Sequence, residues 1–274
     1  MNYETRVVCF IDILGFQNII NKTIERDGAD NAANISALSE ALLCMEKSLN
    51  YVYDSSLTTT RITQFSDSVV ISCAYNEEDG IQSVLSGIQH LTIELAYREI
   101  LCRGGIVLGK IVHTDKMIFG PAMVDAYILE SRAANYPRII LGEDVLALSE
   151  RYYVPFYIPD RPGLRNKEVQ SAISRIDAQS FLSQDSDGMY FVDYFSHNKV
   201  RLGKREFSYY EYITRLRNVI THGLMDRKPD IQVKYNWLRQ WHNISLKKAK
   251  EEEGYLLEDF GIFDEDKLLA LEPL

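Results

Sequence analysis

No CxxC pair, P-loop, dinucleotide-binding glycine fingerprint or Ser-His-Asp set is recognisable in this sequence. Each absence removes a class of chemistry. The four cysteines (Cys9, Cys44, Cys73, Cys102) stand apart in apolar segments, as reduced core residues do, which excludes a disulfide framework or a zinc-thiolate site. No apolar run approaches the ~18 residues of a membrane span, and acidic residues within the first few positions do not fit a signal peptide. A cytoplasmic protein with no membrane partner is the expectation. Basic residues are outnumbered, 30 against 39 acidic, for a formal net charge of -9. That composition lacks the basic face of a general nucleic-acid binder, though a few local Lys and Arg suffice for one nucleotide. There is no internal repeat and no low-complexity tract.

What is present is the composition of a globular protein, 46% hydrophobic and 25% charged over 274 residues. That length suits one large domain, or an ordinary domain with an appended module. The first stretch, Val7 to Phe16, is an apolar run broken by Asp12 and turned at Gly15. Such a run suits a strand buried on both faces. A buried unpaired carboxylate is costly, so Asp12 either ends the strand at a cleft, holds a cation, or starts a turn.

Periodicity places a short helix after Phe16, a polar loop over 22–34 and a helix from Ile35 to Tyr51. Strands over 58–65 and 68–74 flank Phe65-Ser66-Asp67-Ser68, a join with the length and polarity of a tight hairpin. A helix spans 79–100. Strands at 103–112 and 116–121 follow, the glycines of the first implying close backbone approach or a bulge. Pro121 opens a helix to 135, then come a strand at 138–141 and a helix at 142–151. Residues 155–163 form a Pro-rich loop, and 188–195 an edge or added strand. Helical patterns over 209–219, 230–250 and near the end define a helical C-terminal extension (205–274) after a first domain (1–204). The fold class is α+β: a mostly antiparallel sheet with helices on one face.

Asp12 ends one apolar strand and Asp67 sits between two others. If those strands are neighbours, both carboxylates reach one edge of the sheet. Two carboxylates at close range repel unless a cation lies between them, and Mg²⁺ or Mn²⁺ suits such an oxygen donor pair while leaving positions for phosphates. The plainer alternative is that Asp67 merely starts its turn. His113 and His222 are lone histidines with no metal-ligand or catalytic spacing around them, and the cluster Tyr209, Tyr210, Tyr212 reads as packing.

The segments Phe10-Ile11-Asp12-Ile13-Leu14-Gly15-Phe16, Phe65-Ser66-Asp67-Ser68, Arg103 to Gly109, and Phe119-Gly120-Pro121 through Glu130 resemble, in order and spacing, the first strand, the metal hairpin, the next strand and the interface helix of the class III nucleotide cyclase catalytic domain. The likeness covers about residues 5–150 and is greatest to the bacterial pyrimidine cyclases of Pycsar antiphage defence. The resemblance implies a ferredoxin-like core. It implies a two-metal site (Mn²⁺ or Mg²⁺) on Asp12, Asp67 and the carbonyl of Ile13, and a turn, Leu14-Gly15-Phe16, offering backbone N–H groups to a triphosphate. It also implies a homodimer with active sites at the interface.

Departures from the purine-cyclase pattern point to another base or to an inactive relative. Thr63 stands where those enzymes have a base-reading Lys, and Met117 where they have an acid. Val124 replaces a ribose-holding Asn and Ile128 a transition-state Arg, which leaves Arg132 as the candidate for phosphate charge and Lys110 or Lys116 as alternatives. Base contacts are expected around Thr63, Gln64 and Met117. The resemblance implies conversion of UTP, less readily CTP, to the 3′,5′-cyclic monophosphate and pyrophosphate. The alternatives are a purine cyclase and a catalytically silent nucleotide sensor or dimerisation module.

Overall fold

The computed structural model describes residues 2–53, 59–77, 80–151, 181–196, 207–251 and 265–274. Its first strand, β1 (Glu4–Ile13), is flanked on both sides, because its middle residues, Val7 to Ile11, are apolar on both faces. Val7, Cys9, Ile11 and Ile13 enter one core, and Val8 and Phe10 enter another. Helices α1 (Phe16–Asn21) and α2 (Ala32–Tyr53) follow, then β2 (Arg61–Phe65), β3 (Ser68–Ala74), α3 (Gly80–Tyr97) and β4 (Cys102–His113). After β4 come β5 (Ile118–Phe119), α4 (Pro121–Ala133), β6 (Ile139–Leu141) and α5 (Glu143–Arg151). The sheet then gains β7 (Leu182–Gln184) and β8 (Tyr190–Val192). The described chain closes with α6 (Tyr209–Gly223), α7 (Pro229–Glu251) and α8 (Glu265–Ala270).

The spatial order is β2-β3-β1-β4-β6-β8-β7, with β5 paired to β4. Among the described strands only β4–β6 is parallel; the other pairings are antiparallel. The βαββαβ path through β1 to β4, with neighbours in the order 4-1-3-2, is a ferredoxin-like core. The expected α+β class holds.

The helices, however, cover both faces. α2 and α3 press Ala41, Met45, Val84, Leu85, Ile88 and Leu91 onto one side. α4 sets Ala122 and Ala126 on the other, against Val8, Phe10, Val70 and Ile111. The one-face layout fails because β1 carries Val8 and Phe10 on its second face, between Arg6 and Asp12, and burying such an apolar side chain contributes roughly 1.5–3 kcal/mol. The glycines of β4 make the second layer possible: a Cβ on Gly105 would lie 2.7 Å from the Ala126 carbonyl oxygen, and one on Gly109 would lie 3.0 Å from the Ala122 Cβ. The close approach expected of these glycines is that of α4.

Several boundaries move. The loop expected over 22–34 ends at Ala32, where α2 begins, and carries one bridge, Ile24 to Asp30. The strand expected from 58 begins at Arg61. β8 is not an edge, since β6 and β7 pair on either side of it. The 155–163 loop and the 204/205 boundary lie outside the described residues.

The C-terminal helices pack on the far end of the sheet. Ser208 caps α6 through a reciprocal box with Glu211. Tyr209 and Tyr212 are buried and donate their hydroxyls to the carbonyls of Phe195 and Tyr194, each at 2.7 Å. They are packing residues, as their spacing implies. Trp237 and Trp241 of α7 meet Phe191 and Phe195 edge-on or stacked. Among the described residues no helix is long and apolar enough to cross a membrane.

Candidate active site

Two backbone facts place Asp12 beside Asp67. In the register of β1 with β3, Asp12 lies opposite Ser68. The Ile13 N–H donates to the Asp67 carbonyl at 3.3 Å, tying the β2–β3 turn to the end of β1. Ser66 holds that turn at φ 55, in the left-handed region. The Ser68 hydroxyl donates to Asp12 Oδ1 at 2.9 Å and fixes the carboxylate's orientation. Burial and then the Asp67 charge push the Asp12 carboxyl above its ordinary value, against the Ser68 hydrogen bond and Arg103, which favour ionisation.

Arg103 and Glu130 complete the cluster, and neither was among the expected site residues. Arg103 sits opposite Asp12 across β1 and β4. It pairs with Glu130, which is buried under α4. Burial, then the Asp12 charge, raise the Glu130 carboxyl despite Arg103. Two carboxylates, Asp12 and Glu130, thus share one guanidinium. Glu130 follows Ala122 and Ala126 at steps of four, the buried stripe of α4, and that periodicity was the available signal. The pairing of Arg103 with Asp12 depends on strand register, which sequence does not display.

The remaining expected residues divide. Ile13 is buried, so only its carbonyl is a candidate donor. Gly15 adopts φ 71 and caps α1, as a turn there requires. Leu14's N–H is already given to the Leu101 carbonyl at 2.8 Å, so it is not available to a phosphate. Phe16 begins α1 and packs against the core below α2. Thr63 lies on the Asp12 face, since it pairs with Val70, the partner of Phe10. Gln64 does not. It pairs with Val69, the partner of Ile11, and therefore belongs to the opposite face.

Lys116 is exposed in the turn after β4, whereas Arg103 begins that strand. Side-chain contacts tie the end of β4 and the turn after it to β2: His113 meets Thr63 at 2.9 Å and Arg61 reaches Asp115 at 3.4 Å. Lys110 pairs with Thr5 and lies on the face opposite Asp12. Arg132 is exposed in the last turn of α4, on a stripe with Val124 and Ile128. That stripe faces away from the same chain's Asp12, toward which Glu130 is directed instead. Val124 is 55% and Tyr127 53% exposed, and Tyr127 meets Phe10 edge-on at 5.7 Å.

The donor set fits a hard divalent cation: two oxygen-only side chains and one carbonyl, with negative charge in excess. Among the described residues no group of three or more His, Cys, Asp or Glu is suited to a metal. A cation here would rest on the aspartate pair and leave coordination positions for another oxygen ligand.

No protein-family model and no curated protein matches this chain. Among solved structures it is similar to the adenylyl cyclase CyaB from P. aeruginosa, at 15% identity and TM-score 0.46 over 72% of this chain and 97% of that one. It is similar to a bacterial light-regulated adenylyl cyclase at 12% identity and TM-score 0.42, over 80% of this chain and 100% of that one. A class III adenylyl cyclase-like ATP-binding protein from Pseudomonas aeruginosa matches at 14% and 0.40, over 53% of this chain and 34% of that one. Likeness at this level decides neither substrate nor chemistry, which rest on the site itself.

Proposed function

We propose that this chain is a metal-dependent nucleotide cyclase acting on a pyrimidine nucleoside triphosphate, UTP ahead of CTP. The observation that carries the reading is the Ile13–Asp67 backbone tie, which sets two carboxylates at one sheet edge with a single local guanidinium against them. Asp12, Asp67 and the Ile13 carbonyl would hold Mg²⁺ or Mn²⁺. Bound there, such an ion supplies Lewis-acid stabilisation of phosphate charge and lowers the pKa of a coordinated hydroxyl.

In the reaction the ribose 3′-oxygen bonds to the α-phosphorus, the bond from that phosphorus to the β-phosphate oxygen breaks, and pyrophosphate leaves with the electron pair. The hydroxyl proton passes to solvent. No protein nucleophile is required. Ser68 keeps Asp12 oriented, and Arg103 balances part of the carboxylate charge. The exposed Val124–Ile128–Arg132 stripe suits a second copy of the chain, whose α4 would bring its Arg132 to the first copy's aspartates. The homodimer with interface sites is part of the same proposal, as is a second-messenger role in antiphage defence, which rests on the motif resemblance alone.

The test is incubation of the protein with each of the four nucleoside triphosphates and Mn²⁺. Cyclic UMP and pyrophosphate are the expected products. Nucleotide binding without pyrophosphate release from any of the four, in protein shown to be dimeric and metal-loaded, would make the chain a silent sensor and overturn the enzyme reading.

A further inference from the structure

A continuous polar chain crosses four strands on the Asp12 face of the sheet. It begins at Arg6, whose side chain is 3% exposed. Arg6 Nε donates to Ser72 Oγ at 2.9 Å, and its other nitrogens go to Glu4 at 2.8 Å, the Ser72 carbonyl at 3.1 Å and the Thr59 carbonyl. Ser72 Oγ lies 2.8 Å from His113 Nδ1. His113 Nε2 lies 2.9 Å from Thr63 Oγ1. Ser72 and His113 are buried, while Thr63 is half-buried on the open part of β2.

The direction of this chain follows from what each group can do. A guanidinium only donates, so Ser72 Oγ accepts from Arg6. The serine proton, in a fully buried position, then needs an acceptor, and His113 Nδ1 is the one at hydrogen-bond distance. His113 therefore carries its hydrogen on Nε2 and donates to Thr63 Oγ1. A hydrogen on Nδ1 instead would leave the serine proton buried without an acceptor. The imidazolium form is disfavoured by burial and by the facing cations Arg6 and Arg61, with Asp115 alone opposing them, and the histidine pKa is held at about 4. In this polarity Thr63 keeps its own proton for whatever approaches from the open face. In the reverse polarity the hydroxyl would be spent on His113 and would offer lone pairs only.

We propose that the Arg6–Ser72–His113 relay makes Thr63 a hydrogen-bond donor toward position 4 of the bound base and so selects uracil, which presents a carbonyl oxygen there, over cytosine, which presents an amino group. His113 is a positioning residue in this arrangement and touches no substrate. The proposal rests on the cyclase reading above and on the expectation that Thr63 lies among the base contacts.

The experiment compares kcat/KM for UTP and CTP in the wild type, Thr63→Val, His113→Leu, His113→Gln and the Thr63→Val/His113→Leu double variant. The wild type favours UTP about tenfold or more, the scale on which one well-placed polar contact discriminates. Thr63→Val brings the ratio to within about threefold of unity. His113→Leu does the same, and adds nothing in the double variant. His113→Gln keeps the preference, because its amide can accept from Ser72 and donate to Thr63. A ratio unmoved by Thr63→Val, or a Gln variant as unselective as a folded Leu variant, overturns the relay while leaving the cyclase reading intact. A wild type that forms no cyclic product from any triphosphate overturns the cyclase reading itself, and the relay's role with it. Should His113→Leu fail to fold, the Thr63→Val and His113→Gln arms decide the matter alone.

Discussion

The two ends of the sheet each hold an arginine among carboxylates, and they are built for opposite purposes. At the far end Arg138 is fully buried and pairs with Asp185 and Asp187. Tyr136 lies 4.9 Å from its guanidinium carbon and Trp237 5.9 Å, the two rings stacked on one another. Trp237 Nε1 also donates to Asp185 at 2.6 Å. That cluster joins β6, the β7–β8 turn and α7, and its guanidinium and Asp185 are buried with rings beside them. At the near end Arg103 faces Asp12 and Glu130, with Asp67 beside them, and there the roof is missing over the aspartates, both only half-buried. A guanidinium buried beneath rings beside an equally buried carboxylate is a fastening. Half-buried aspartates at an open edge are what the proposed metal site would use.

That contrast can be broken most forcefully at the sealed end. Arg138→Leu strands two carboxylates, one of them buried, and should lower unfolding stability by about 3–5 kcal/mol, read as a fall in the urea midpoint. A loss under ~1 kcal/mol would mean the fastening is not one. At the open end Asp67→Ala should leave the urea midpoint unchanged while turnover falls at least a hundredfold, roughly 2.7 kcal/mol of barrier. Retained turnover would remove Asp67 from the metal site. Asp12→Asn should raise the unfolding stability of metal-free protein slightly, by under about 1 kcal/mol given solvent screening of the half-exposed group, because it removes a partly desolvated charge that repels Asp67. A drop would show that Asp12's contact with Ser68 outweighs that repulsion.

The last effect concerns pH. The unfolded chain protonates His113 near 6.5, whereas the folded protein keeps it neutral down to about 4. Between those values the unfolded state binds the extra proton, so the histidine's contribution to stability is complete above 6.5 and is lost as pH falls through the window. His113→Gln should flatten that part of the stability profile. An unchanged slope in a urea titration across the same range would place the acid sensitivity elsewhere.

How much of this was legible beforehand follows from the range of each interaction. The ten-residue β1, the hairpin at Ser66-Asp67 and the Pro121 helix start are local patterns, and the structure has them. The glycines of β4 announced a close neighbour but not which one. β7, three residues long, offers too little periodicity to be read. Gln64 was expected among the base contacts and Lys116 as an alternative for phosphate charge. Strand alternation sets Gln64 on the face opposite Thr63, which their adjacency in sequence does not display.

Sequence by itself determined that there would be a two-sided strand ending in a carboxylate, a second carboxylate in a tight turn, and a glycine-lined strand for a helix to lie against, because each depends on residues a few positions apart. Only the tertiary structure decided that Arg103 stands across from Asp12, that Glu130 reaches the same cluster, and that His113 meets Thr63 and Ser72. Those pairings depend on strand register and on which face α4 covers, and both are set by packing between segments distant in the chain.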